Sequence, residues 1–289
     1  MENALEIKGL CKSYGEFSLK DVSFSLPKGY IMGFVGQNGA GKTTTIRSMM
    51  NMAHPDSGEI KIFGLDSIQD SCAIKQDIGV VFDDLYFTPH LTPKQIAAQL
   101  KCFYRHWSDE KFFGLLDKFK LPAKKKCGQF SRGMKMKLML SAALAHDAQL
   151  LILDEPTSGL DPVARDELLD ILTEYIGDEN KSILFSTHIT ADLERIADYI
   201  TILHDGKIFY CDTKDRLMEK YIVIKGGVEE LPKEIEERSI GYHAYRNGFE
   251  AMLERSYESE LPDGIIAESA DIDEILVYIA KEAAKNEKS

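Results

Sequence analysis

Three short stretches hold residues whose types and spacing could do chemistry together. The first is "GFVGQNGAGKTTTIR", residues 33–47, in which Gly36 and Gly41 are followed by Lys42 and Thr43. This is the phosphate-loop spacing: glycines let the backbone turn so that successive N–H groups point inward at phosphate oxygens. Gln37, Asn38, Gly39, Ala40 and Thr44 complete the loop. Lys42 is expected to reach the β- and γ-phosphates, and the Thr43 hydroxyl to ligate Mg²⁺. The second stretch, "LLILDEP", ends an apolar run in two carboxylates, Asp154 and Glu155. Asp154 would stand beside the metal, while Glu155 could polarise a water attacking the γ-phosphate. The third, "SILFSTH", ends another apolar run in His188. The first two stretches point to a nucleotide hydrolase and no more.

Such side chains must be carried by strands and helices of particular kinds. "YIMGFVG", "LLILD" and "SILFSTH" are near-continuous apolar runs, as expected of strands buried on both faces. "ALEIKGL" and "LKDVSFSLPKG" alternate instead and read as antiparallel strands. From about residue 85 to 145 the pattern turns helical, with "TPKQIAAQLKCFYRHW" and "SDEKFFGLLDKFKL" spaced at three and four. Thr92 followed by Pro93, and Ser108, are N-cap signals. "PVARDELLDILTEYIG" is a helix closed by Gly177. Beyond "ITILHDGKIFYCDT" the character changes. "YIVIKGG" and a hairpin about Asn247-Gly248 precede an amphipathic helix, "DIDEILVYIAKEAAK". The expected organisation is an α/β core over 1–212 and a small α+β appendage over 213–289.

Composition narrows the classes. The chain of 289 residues carries a formal net charge of −12, which argues against coating nucleic acid. The triplet Lys124-Lys125-Lys126 is too short to reverse that. Five cysteines are scattered without a CxxC pair, as in a reduced cytosolic protein. The start, "MENALEIKGL", has no signal-peptide h-region, and no run approaches the ~20 apolar residues of a membrane span.

The order of motifs decides among hydrolases. "FSRGMK" (130–135) precedes a helix that runs into "LLILDEPTSGLD", and "STH" follows after a further strand. Over roughly residues 4 to 212 this resembles the ATP-binding cassette (ABC) ATPases. The resemblance implies a P-loop ABC-type core with an antiparallel β subdomain and a helical subdomain. It places Tyr14, in "KSYG", where an aromatic stacks on adenine, although packing would also explain it. Ser131 and the Gly133 backbone stand in the signature that meets the γ-phosphate of a partner's ATP. Asp161, in "SGLD", falls in the loop that crosses the dimer interface, and His188 contacts the γ-phosphate. Three positions depart from the family pattern. Arg132 and Met134 replace a glycine and a glutamine of the signature. Asp83, in "VFDDLYF", stands where the family has a glutamine ligand to Mg²⁺, with Asp84 as its rival.

The same resemblance implies ATP and Mg²⁺ as cofactors, a second ABC subunit, and a separate polytopic permease contacted from the cytoplasmic face of the membrane. The short motifs and small appendage look most like ATPases of drug, peptide-antibiotic or cell-envelope exporters. "DLYFTPHLTP" suits a groove for the permease. The rival reading is a soluble ABC ATPase of DNA repair or translation. Such proteins usually carry two cassettes and basic surfaces; this chain has one cassette and is acidic.

Overall fold

In a computed structural model, which describes residues 2–83, 86–227 and 230–286, the chain divides into two compact units, Met1–Cys211 and Asp212–Ser289. Unit one holds two sheets. The first is antiparallel, in the order β2-β1-β4-β5, from β1 (Asn3–Tyr14), β2 (Phe17–Pro27), β4 (Ser57–Ile62) and β5 (Leu65–Asp66). Its alternation buries Leu5, Ile7, Leu10, Val22, Leu26, Ile60 and Ile62 on one face.

The second sheet runs β10-β9-β3-β8-β7-β6. It comprises β3 (Ile31–Val35), β6 (Ile78–Val81), β7 (Leu150–Asp154), β8 (Ser182–Thr187), β9 (Tyr199–His204) and β10 (Lys207–Thr213). Strands β6, β7, β8, β3 and β9 are all parallel. Every residue of β3, β7 and β8 is buried, which is why the three read as unbroken apolar runs. Crossovers between parallel strands are long, and here they hold α1 (Lys42–Met49), α2 (Ser71–Asp77), α5 (Arg132–Ala145), α6 (Pro162–Tyr175) and α7 (Thr190–Ile196). Because the strands are parallel, the loops after β3, β7, β8 and β6 leave the same edge of the sheet. That is the edge where open α/β sheets bind ligands.

Two shorter helices, α3 (Pro93–Leu100) and α4 (Asp109–Lys118), lie between β6 and α5. Thr92 caps α3 in a capping box with Gln95, and the Ser108 hydroxyl caps α4. The helical periodicity continues to Trp107, yet α3 ends at Leu100. Gln76 explains the stop: its amide donates to the Phe103 carbonyl at 3.1 Å and accepts from the Arg105 N–H at 3.0 Å. Those backbone groups are thereby lost to any longer helix.

Unit two comprises α8 (Lys214–Lys220), β11 (Tyr221–Gly226), α9 (Lys233–Arg238), β12 (Ile240–Tyr245), β13 (Gly248–Glu254), β14 (Ile266–Ser269) and α10 (Ile272–Asn286). Its sheet is antiparallel, ordered β12-β13-β11-β14. It has a core of its own, including Ile222, Ile224, Ile235, Phe249 and Leu253. Among the described residues no helix is long and apolar enough to cross a membrane.

Candidate nucleotide site

The loop between β3 and α1 has the backbone that phosphate binding requires. A Cβ on Gly36 would fall 2.2 Å from the Leu203 carbonyl oxygen, and Gly41 has φ 113 with Leu19 and Phe17 packed against it. Only glycine satisfies both positions. Gly41 is also the N-cap of α1, and no side chain caps that helix. Its first N–H groups and the positive end of its dipole are therefore left to an anion.

Lys42 is buried, and its ammonium donates to the Gly36 carbonyl at 2.6 Å and to that of Gln37 at 3.4 Å. It also lies 3.5 Å from Glu155 Oε1. Thr43 Oγ1 donates to Asp154 Oδ2 at 3.0 Å, and Ser186 Oγ to Asp154 Oδ1 at 3.1 Å. The register that sets Asp154 opposite Ser186 on β8 makes the second bond. Burial pushes the Asp154 carboxyl above its ordinary pKa, and the two hydroxyl donors hold it down against that pressure.

Glu155 has φ 52, in the left-handed region where a residue with a Cβ is strained. Its N–H donates to the Ser186 carbonyl at 3.0 Å, which holds the turn. The turn aims its carboxylate at His188, whose Nδ1 is 2.7 Å from Glu155 Oε2. Lys42, Thr43, Asp154, Glu155 and His188, distant in sequence, thus form one connected group.

A hollow of ≈ 290 Å³ opens over this group, lined by Phe17, Gln37, Asn38, Gly39, Gly41, Lys42, Thr43, Thr44 and Glu155. A larger cleft of ≈ 670 Å³ lies elsewhere, around Ser108, Leu115, Ile171 and Tyr175. It holds none of the phosphate-loop residues. Tyr14 does not line the hollow. It is half exposed at the end of the β1–β2 hairpin, with the Lys12 ammonium 5.1 Å above its ring. Phe17, its partner across the hairpin, borders the hollow instead. No sequence motif pointed to Phe17.

Ser131 and Gly133 also lie apart from the hollow. Ser131 is exposed as the N-cap of α5, accepting from the Met134 N–H at 3.3 Å. Arg132 forms an ion pair with Asp83, and its guanidinium sits beside Gly159. Asp83 is thus engaged by the signature stretch; Asp84 lies outside the described residues. Asp161 caps α6, its Oδ1 accepting from the Val163 and Ala164 N–H groups at 3.1 and 3.0 Å. Behind this loop the fully buried Asp192 accepts from Thr157 Oγ1 at 2.7 Å and Arg165 Nε at 2.5 Å. That clamp ties the segment after Glu155 to α7, which follows His188. Arg165 and Asp192 carry no motif that would have singled them out.

Comparison with known proteins agrees with this geometry. A family model described as ABC transporter matches residues 19–158. The bacitracin transport ATP-binding protein BcrA of Bacillus licheniformis is 34% identical over 212 residues, 72% of this chain and 69% of that protein. A solved ATP-binding subunit of an ABC transporter superposes with TM-score 0.68 at 31% identity, covering 74% of this chain and 91% of that one. A dimeric ATP-binding cassette in a post-hydrolysis state with ADP and Pi gives TM-score 0.64 at 25% identity, over 72% of this chain and 98% of the other.

Proposed function

Because this chain belongs to the ABC transporter family as an ATP-binding, ATP-hydrolysing subunit, we propose that it pairs with a second such subunit around two ATP molecules and drives a separate membrane permease. The observation that carries the pairing is the position of Ser131. It stands exposed on α5, outside the hollow that the same chain's phosphate loop lines. A signature meant to touch a γ-phosphate therefore needs another chain's nucleotide. The dimeric relative supports the same arrangement.

Within each site Lys42 turns from the carbonyls of its own loop to the β- and γ-phosphates. Thr43 and Asp154 present a hydroxyl and a carboxylate 3.0 Å apart. These hard oxygen donors fit Mg²⁺, which keeps much of its water and takes phosphate oxygens. When bound, the ion offsets phosphate charge. Glu155 accepts a proton from the water whose oxygen bonds to the γ-phosphorus; the bond to the bridging oxygen breaks, leaving ADP and inorganic phosphate. His188 orients Glu155 through the 2.7 Å contact. Phe17, with Tyr14 as the alternative, offers a ring to the base.

A groove of ≈ 200 Å³ between Phe82, Tyr86, Phe87, Leu100, Tyr104 and His146 is the place for a permease helix. The subunit then works as a peripheral protein on the cytoplasmic face of the membrane. The likeness to the bacitracin transport protein favours export of a peptide antibiotic or related envelope-active compound.

Mixing Ser131→Arg chains with Lys42→Ala chains tests the pairing. Each mixed dimer has one site with both halves intact and one with neither, so ATPase activity should reappear where either variant alone has little. Unimpaired hydrolysis by Ser131→Arg alone would place the signature outside the reaction.

A further inference from the structure

The net charge of −12 conceals a segregation. Residues 91–140 hold twelve Lys and Arg against three Asp and Glu, a local net of +9 that leaves −21 for the rest of the chain. Within that segment Lys101, Lys111, Lys118 and Lys137 are each paired with a carboxylate, of Asp109, Asp147, Glu174 and Glu167. Lys94, Lys120, Lys124, Lys125 and Lys126 are not. All five are exposed, and among the described residues none has a carboxylate within ion-pairing distance.

The fold gathers these five. The Lys94 N–H at the start of α3 donates to the Ala123 carbonyl at 3.2 Å, so α3 lies against the loop that bears the lysine triplet. The same loop is fixed by Cys127 N–H to the Leu91 carbonyl and Gly128 N–H to that of Pro89, both at 2.9 Å. Cys127 is fully buried and Leu121 nearly so, which anchors both ends. The triplet therefore stands on a braced loop, with Lys94 on α3 beside it and Lys120 next to the buried Leu121. That loop is tied to Pro89, two residues past the aromatic pair Tyr86 and Phe87 of the permease groove.

We propose that this lysine shelf docks on the anionic headgroups of the membrane leaflet beside the permease. The inference carries the peripheral placement proposed above one step further, to the lipid itself. Five lysines fall within the range of basic clusters that bind anionic leaflets. At ~0.1 M salt charge is screened beyond about 10 Å, so a shelf facing the leaflet is attracted although the whole chain is acidic. Nucleic acid fits less well. The exposed aromatic of this segment, Phe103, is tied through its carbonyl to Gln76 and not to the loop that bears the lysine triplet, and the shelf has no arginine fork for phosphate. A leaflet needs neither.

The test is flotation of the full chain with vesicles rich in phosphatidylglycerol or made of phosphatidylcholine alone. Two variants of equal net charge are compared, K124E/K125E/K126E and the control K20E/K207E/K233E. Wild type and control should float with the anionic vesicles and not the neutral ones, and raised salt should release them. The shelf variant should bind about a hundredfold more weakly, while all three hydrolyse ATP alike in solution. Equal loss in both variants, indifference to lipid charge, or no flotation of wild type would overturn the proposal. So would tighter binding to single-stranded RNA than to the vesicles. The vesicles hold no permease, so a failure here leaves the ATPase reading standing. Loss of ATPase activity in the preceding test would leave the flotation result standing in turn.

Discussion

Glu155 stands where the phosphate hollow, Lys42 and His188 meet, in a backbone conformation its side chain would not choose. Replacing it by Gln keeps the shape and removes the proton acceptor. Turnover should fall by a factor of about 10²–10⁴, while ATP stays bound and size-exclusion chromatography shows a nucleotide-dependent dimer. Near wild-type steady-state hydrolysis would take Glu155 out of the reaction. Asp83 presents a different case, since its carboxylate is held by Arg132. If Asp83 serves the metal, that pair must open first. Arg132→Ala should then lower the Mg²⁺ concentration needed for half-maximal ATPase, and Asp83→Asn should raise it. Superimposable Mg²⁺ titrations of both variants and wild type would leave Asp83 as the partner of Arg132 alone. The phosphate loop was legible in the sequence because its requirements are local: glycine at tight positions, then Lys and Thr opening a helix. The Asp83–Arg132 pair, the Asp192 clamp and Phe17 were not, because each depends on a contact or a lining position that only the folded chain creates.

At the level of elements, the site is held by strands whose apolar runs announced them and by helices whose lengths were harder to read. The periodicity through Trp107 is real, but Gln76 competes for the backbone past Leu100, and one side chain's reach is invisible in a period. His146 shows a similar long-range tie. It lies at the C-cap of α5, stacked on Tyr104 with ring centroids 3.9 Å apart. Its two nitrogens are each 3.1 Å from a carbonyl, of Ala142 in α5 and Ile78 at the start of β6. It therefore fastens the signature helix to the strand leading to Asp83. Burial holds its pKa below the ordinary imidazole value of 6.5, outweighing the two carbonyls and the nearby Asp77 and Asp147, which favour the charged form. The unfolded chain then binds a proton that the folded chain refuses. Stability is full above pH ~6.5 and is lost as the pH falls from there toward the lowered pKa. In urea titrations the midpoint should drop over that acid range, and His146→Gln should flatten the drop while lowering stability at pH 7.5 by about 1–3 kcal/mol through an imperfectly satisfied buried contact. A variant with the wild-type pH slope would remove His146 as its source.

For the whole molecule, the two units differ in kind. The first contains Lys42, Thr43, Asp154, Glu155 and His188 and the five parallel strands, and the second has its own antiparallel sheet and core. The composition shift near residue 212 made a division legible, because a chain that leaves one core must change its apolar pattern to build another. What the second unit does was not legible, since it has a packed interior but no phosphate loop and no cluster of metal ligands among its described residues. If the units are independent, ATP hydrolysis should survive without the second. The place to stop matters. β10 runs from Lys207 to Thr213 at the edge of the large sheet, so ending at Cys211 would clip an edge strand next to β9, which pairs with β3, the strand that leads into the phosphate loop. A chain ending at Thr213 keeps the strand whole and cuts before α8. It should fold cooperatively in urea and hydrolyse ATP within about threefold of the full chain, whereas the chain ending at Cys211 should unfold at lower urea by about 1–2 kcal/mol, from lost edge-strand burial. Loss of both folding and hydrolysis in the Thr213 chain would show that the appendage belongs to the catalytic unit's own stability.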